Sequence, residues 1–362
     1  MAFLFSAKWA WVALRFILRR REELRNIRKK GFVVVVIGCT SGLGMAIVLA
    51  VCDRLSKIQS HGAHTVIITA KTEEEGVLLL ERLRHPTVRV GFHQLDASNS
   101  NSLTAFSQNL KEKFEHIDIL MNCTSMLPSA AELSWHGNTL RIMSADYYEA
   151  KLIIQALMPL MALGGRVVIG ASSLAELAIT WMNEEAFAKL FSPDSTEKDL
   201  DEIADGFMQE MQEESTDGKR VYDAMAYPFV QATRIALAHC LGNQLNQSSK
   251  DPRKRITVCS FSLGWCRSTS ERDRAPFSAL DGAEEAVFAA FDASPGEIQG
   301  AFLIGRKAAK FGEVFAAINA DAARSRRTLA EKNDHHTHLK HLTRKAAEAI
   351  EDTPQVVTVE ES

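Results

Sequence analysis

The chain has 362 residues and a formal charge of −3, with 42 lysines and arginines against 45 acids. That balance lacks the marked basicity of a general nucleic-acid binder, and 46% hydrophobic with 24% charged residues excludes wholesale disorder. Cys39, Cys52, Cys123, Cys240, Cys259 and Cys266 form no CxxC pair and no zinc-like Cys/His spacing, so neither a disulfide scaffold nor a metal site is expected.

In chain order, the first predicted element is a basic amphipathic leader over residues 1–30. It carries nine bases and two acids, and on a helix Lys8, Arg15 and Arg19 share one face opposite Ala10, Ala13 and Ile17. Lys8 and Arg15 interrupt the apolar run, which argues against a spanning helix. Three readings stay open: an interfacial anchor seated by Phe3, Phe5, Trp9 and Trp11, a mitochondrial presequence, or a helix that packs on its own domain. Location follows the reading chosen, as cytoplasmic, on the cytoplasmic face of a membrane, or mitochondrial.

Residues 32–37, Phe-Val-Val-Val-Val-Ile, are an unbroken β-branched run, the pattern of a strand buried on both faces of a parallel sheet. Gly38-Cys-Thr-Ser41-Gly42-Leu43-Gly44 follows, and then an apolar helical stretch to Leu55. A glycine turn between strand and helix lets backbone approach a pyrophosphate at a helix N-terminus. Further strand candidates at 65–70, 88–93, 117–122, 166–170, 256–261 and 302–304 alternate with helix-length segments. The expected architecture is α/β, a Rossmann-type doubly wound parallel sheet of about seven strands with helices on both faces. One domain over 31–310 accommodates it, with a helical insertion at 174–222 and a helical polar tail at 311–362.

The residues now in view resemble the short-chain dehydrogenase/reductase family over roughly 32–310. Gly38, Gly42 and Gly44 match its TGxxxGxG turn, with Ile37 in place of the threonine. Asp96, Asp118-Ile-Leu-Met-Asn122, Ser173, Tyr227 and Leu263-Gly264-Trp265-Cys-Arg267 fall where the family has its adenine-contacting aspartate, its NNAG-type segment, its serine and tyrosine, and its PGWVR-type stretch. The carbonyl reductase branch is similar in three further ways: His93-Gln-Leu-Asp96, Leu157-Met-Pro-Leu160, and the 54 positions between Ser173 and Tyr227, where that branch carries a helical insertion walling the substrate cleft.

The resemblance implies hydride transfer between NADP(H) and a small carbonyl or alcohol, with Tyr227 as proton donor and Ser173 orienting the substrate oxygen. It also implies cofactor contacts from Gly38, Ser41, Gly42, Leu43, Gly44, Asp96, Asn122 and Gly264. Lys71 follows the second strand where an acid would grip a ribose 2′-hydroxyl, and its charge favours a 2′-phosphate and hence NADP. Two positions of the tetrad depart from the family: Gln231 stands where a lysine belongs, four residues after Tyr227, and Asp146 replaces an asparagine. An ordinary tyrosine ionises near pH ~10, so losing an adjacent cation weakens proton exchange. Arg234 lies on nearly the same helix face as Tyr227 and is read either as a partial substitute for that cation or as a solvent-facing or structural residue.

Residues 184–217 hold twelve acids and two bases, read as a solvated face. His335, His336, His338 and His341 in the tail match no specific metal spacing, and residues 351–362 read as a disordered end. Three functions follow from these patterns: a carbonyl-reducing oxidoreductase slowed by its altered tetrad, a catalytically inactive dinucleotide-binding or interaction protein on the same fold, or a membrane-localised enzyme of lipid or steroid carbonyls. Oligomeric state leaves no mark in the sequence.

Overall fold

The computed structural model of the protein describes residues 30–40, 42–124, 138–213, 216–246, 254–264 and 277–309, with Ser248, Asp251 and Cys266 besides. The predicted leader up to residue 29, Ser41, Trp265, Arg267 and the predicted tail lie outside the described residues.

Eight strands form one sheet in the order β3-β2-β1-β4-β5-β6-β7-β8. The strands are β1 (Val33–Ile37), β2 (Thr65–Ala70), β3 (Arg89–Gln94), β4 (Ile117–Asn122), β5 (Met161–Ala171), β6 (Thr257–Ser262), β7 (Phe302–Ile304) and β8 (Lys307–Ala309). Pairings from β3 through β7 are parallel, and β8 returns antiparallel on β7. The eighth strand goes beyond the predicted seven, because Gly305 and Arg306, both at positive φ, turn the chain back within two residues. β5 starts five residues earlier than predicted (Met161 against 166). A register shift against β4 between Ile117 and Ile119 and a positive φ at Gly164 let the extra residues join.

Between the strands run α1 (Gly42–Ser56), α2 (Glu73–Arg82) and α3 (Ser100–Lys113). Helix α4 comprises Asn138–Ile142, a π-helical stretch Met143–Tyr148, and Glu149–Leu157. The insertion supplies α5 (Ala175–Trp181), α6 (Glu184–Leu190) and α7 (Glu197–Glu213), and feeds α8 (Thr216–Asn246), a helix of 31 residues. α9 (Ala279–Val287) and the short α10 (Pro295–Ile298) precede β7.

Alternation along β1 sorts its side chains between two cores. Val34 and Val36 join the core packed with α1 and α9, while Val35 and Ile37 join the core under α3, α4 and α8. The second core extends into the insertion through Leu190, Leu200, Phe207 and Met211. The order of strands reverses between β1 and β4, the place where an open α/β sheet leaves a crevice at its carboxyl ends.

Candidate functional site

The turn after β1 lies in that crevice. Gly38 has φ +83°, and a Cβ there would come within 2.6 Å of the Thr124 nitrogen beyond β4. A Cβ on Gly44 would lie 2.1 Å from the Gly38 carbonyl oxygen, so the first turn of α1 closes directly onto the glycine turn. Both glycines are demanded by backbone approach within the protein, and they bring the α1 N-terminus to the switch point. Leu43 packs toward α9, where its Cδ1 lies 3.3 Å from the Cβ position of Gly282.

At one side of the turn, Lys71 Nζ sits 3.3 Å from Asp96 Oδ1. Asp96 also accepts from the Ser98 hydroxyl at 2.6 Å, and that bond with the Lys71 ammonium holds its carboxyl below the usual carboxylate range. Lys71 is 67% exposed, and its carbonyl is fixed by the Gln94 side-chain amide at 3.0 Å. Glu149 of α4 completes this rim. Its carboxyl is pushed up chiefly by burial, with Lys71 opposing and Asp96 and Asp146 adding to the rise. No motif marks Glu149, and sequence reasoning missed it.

On the other side, the guanidinium of Arg234 is fully buried among the ends of three elements. Its Nε donates to the Gly170 carbonyl of β5 at 2.7 Å, and Nη1 donates to the Asp146 carbonyl of α4 at 2.6 Å and to Thr124 Oγ1 at 3.2 Å. Nη2 donates to the Asn122 carbonyl of β4 at 3.2 Å. The solvent-facing reading of Arg234 is thereby overturned: α8 is apolar around it, with Val230, Ala232, Ile235, Ala236 and Leu237 all buried, so the helix is enclosed on every side. Burial pulls its guanidinium below the ordinary arginine value, and the Asp146, Cys123 and Tyr227 side chains oppose the change.

Asn122 is also fully buried, and its side chain is engaged inside the protein. Its Nδ2 donates to the Ala150 carbonyl at 3.3 Å, and its Oδ1 accepts from Thr124 Oγ1 at 2.7 Å. Asp146 is buried in the π-helical stretch, whose wider winding turns its carbonyl to Arg234. Ser173 is half-buried in the turn after β5, three residues beyond Gly170, beside Ser172, whose hydroxyl accepts from the Leu174 N–H at 3.2 Å. Tyr227 is half-buried on α8, which packs against α5 and β5. Gly264, at φ +72° after β6, adds the end of a further strand.

Gln231 is fully buried, and both its Nε2 and its Oε1 lack a hydrogen-bond partner. It alone among the described residues has that deficit, which costs ~1–3 kcal/mol for each unmet group.

The insertion is fastened to α4 by charge. Lys151 Nζ binds Asp201 of α7, Tyr147 donates to the same carboxylate at 2.9 Å, and Tyr148 donates to Asp205. Gln155 Nε2 donates to Glu197 at 2.6 Å. Several acids read as a solvated face are thus contacts to α4. Tyr147 and Lys151, four apart on one helix face, were the available signal. No group of His, Cys, Asp and Glu among the described residues could hold a metal ion.

The residues fit a bound nicotinamide dinucleotide on three grounds. A glycine turn and a helix N-terminus meet at the switch point, a cation and a carboxylate stand at the ends of β2 and β3, and an unmet amide is buried four residues along the helix from Tyr227. Lys71 and Asp96 would hold the adenosine end, and the turn from Gly38 to Gly44 the pyrophosphate.

The sequence model of the short chain dehydrogenase family matches residues 32–189. Carbonyl reductase (NADPH) 1 of Rattus norvegicus is 24% identical over 259 residues, covering 71% of this chain and 90% of its own length. Carbonyl reductase (NADPH) 3 of the same species is 25% identical over 264 residues, with the same coverage of 71% and 90%. Among solved structures, salutaridine reductase from Papaver somniferum aligns with a TM-score of 0.59 at 19% identity, over 75% of this chain and 99% of that one. A short chain dehydrogenase from Burkholderia cenocepacia in complex with NADP aligns with a TM-score of 0.51 at 18% identity, over 76% and 96%.

Proposed function

We propose, for a chain that belongs to the short-chain dehydrogenase/reductase family, an NADP(H)-dependent oxidoreductase that reduces small carbonyl compounds. One observation carries this reading: the described candidate residues fall at the carboxyl ends of neighbouring parallel strands, or on the helices packed against those ends. The relatives named as NADPH carbonyl reductases support the same cofactor and substrate class.

When bound, the reduced nicotinamide supplies the hydride. The chain's residues have the remaining tasks. Lys71 would hold a 2′-phosphate in place of its contact with Asp96, and the Gly38–Gly44 turn would hold the pyrophosphate at the N-terminus of α1. Ser173 orients the substrate oxygen, and the Tyr227 hydroxyl gives that oxygen its proton. α7, fastened to α4 through Asp201 and Asp205, walls the cleft and limits access of water.

The decisive experiment measures NADPH binding by fluorescence and NADPH oxidation with a panel of aldehydes and ketones, for wild type and Tyr227→Phe. The expected result is cofactor binding in both, with turnover in wild type only, reduced at least ~10²-fold by the substitution. Failure of wild type to bind NADPH would overturn the reading. Gln231, neutral where the family has lysine, favours a second one: a protein that binds the cofactor without turning over, for which binding without oxidation is the expected outcome.

A further inference from the structure

We propose that Arg234 is the positioning cation of this site, tying the ends of β4, β5 and the π-helical stretch of α4 into one floor and presenting its charge to Tyr227 on its own helix. The inference rests on the proposed role of Tyr227 as proton donor.

Arginine is a costly residue to enclose, since its charge must be matched by hydrogen bonds at every donor face. Here the matching groups are almost all backbone or neutral: the carbonyls of Gly170, Asp146 and Asn122, with Thr124 Oγ1. These bonds hold the guanidinium rigidly, with the buried Asp146 carboxylate as a nearby counter-anion and the Tyr227 side chain also within its field. The elements it joins are those that carry Ser173, Asn122 and Asp146.

The placement on α8 follows from helix geometry. Seven residues make nearly two full turns, so Arg234 and Tyr227 lie on one face. Helical side chains lean toward the N-terminus, the direction in which Tyr227 lies from Arg234. The titratable groups around the guanidinium are Asp146 on α4, Cys123 after β4 and Tyr227 on its own helix. From β5 it receives the Gly170 carbonyl. A fixed cation in this setting favours the tyrosinate form and eases proton transfer near neutrality. A lysine at position 231 would add a second buried cation one turn away. The neutral Gln231 is therefore the residue compatible with Arg234.

The test follows the ring-carbon resonances of 13C-labelled tyrosine across pH. The chain has four tyrosines, and Tyr227 is assigned by loss of its signal in Tyr227→Phe. In Arg234→Met the ionisation midpoint of Tyr227 is expected about one pH unit higher than in wild type, and Arg234→Lys is expected to retain most of the wild-type value. Gln231→Lys alone is expected to lower Tm, while the same change in the Arg234→Met background restores both Tm and the Tyr227 midpoint. An unchanged midpoint in folded Arg234→Met, or a Gln231→Lys chain with raised Tm and faster turnover, overturns the inference. Should Arg234→Met fail to fold, the Gln231→Lys measurements decide by themselves. NADPH binding by wild type is read separately. Its absence beside an Arg234-dependent midpoint ends the oxidoreductase reading and leaves the positioning cation standing.

Discussion

Lys71 and Asp96 illustrate how single side chains set the preference at the adenosine end. The ammonium is mostly exposed and already has a carboxylate partner at 3.3 Å, so binding a phosphate there exchanges one anion for another. The net gain from such an exchange in solvent is modest, in keeping with the small worth of exposed ion pairs. Lys71→Ala is accordingly expected to raise the Kd for NADPH about tenfold, equivalent to ~1.4 kcal/mol, and to leave NADH almost unaffected. Fluorescence titration with both nucleotides checks this, and equal losses for the two would mean that Lys71 does not meet the 2′-phosphate. The same scale shows why some of the site was legible beforehand. Gly38, Lys71 and Asp96 are marked by residue type just after strands, and Tyr227 by the position of the tyrosine in the resembling family. Glu149 is not, because its place on the rim depends on how α4 crosses the sheet. Arg234 was ambiguous because helical phase tells which face a residue shares but not whether that face is enclosed. The mostly apolar sequence around it, with Phe229, Val230, Ala232 and the run Ile235 to Ala238, was the one clue to its burial.

Among the elements, the strands were read most closely: β2, β4 and β7 have the predicted bounds, each being a short, mainly apolar segment between helix-length stretches. The π-helical stretch in α4 and the early start of β5 were not legible, because both arise from tertiary fit and leave ordinary local sequence. The insertion presents a mixture of the two cases. Its helices follow from apolar spacing, and the Phe207 ring stacks on Phe229 of α8 with centroids 4.0 Å apart. Its docking onto α4, in contrast, depends on Asp201, which meets a Lys151 side chain only 11% exposed while remaining 32% exposed itself. Asp201→Ala strands that ammonium in a largely buried place, and the expected loss is about 2–3 kcal/mol, below the range for fully enclosed pairs. Urea unfolding of the single variant and of Lys151→Met/Asp201→Leu checks it. The double variant is expected to regain most of the stability, and a loss from Asp201→Ala below ~0.5 kcal/mol would make the pair an ordinary surface bridge.

Taken whole, the molecule keeps all six of its thiols free and places five of them in buried positions. Burial pushes Cys39 up to about 11 and Cys52, Cys123, Cys240 and Cys259 up to about 12, and it raises Cys266 as well. Thiolate, the reactive form, is therefore scarce near neutrality. A colourimetric disulfide reagent at about pH 8 is expected to label the native protein slowly at every cysteine and to count six thiols at once after denaturation. A cysteine reacting within seconds in the native protein would contradict this distribution.

The central pairing of β1 with β4 has a consequence for how the chain reaches this state. Val33 donates its N–H to Asp118 at 2.7 Å across 85 residues of sequence, and Val34 pairs with Ile119 in the sheet. The entropy of closing so long a loop must be met before that contact returns any stability, which places the fold among those of high contact order and slow assembly. The crevice at the switch point thus comes into being only when the two halves of the sheet join, and a ligand bound there would favour the joined state over every partly folded one.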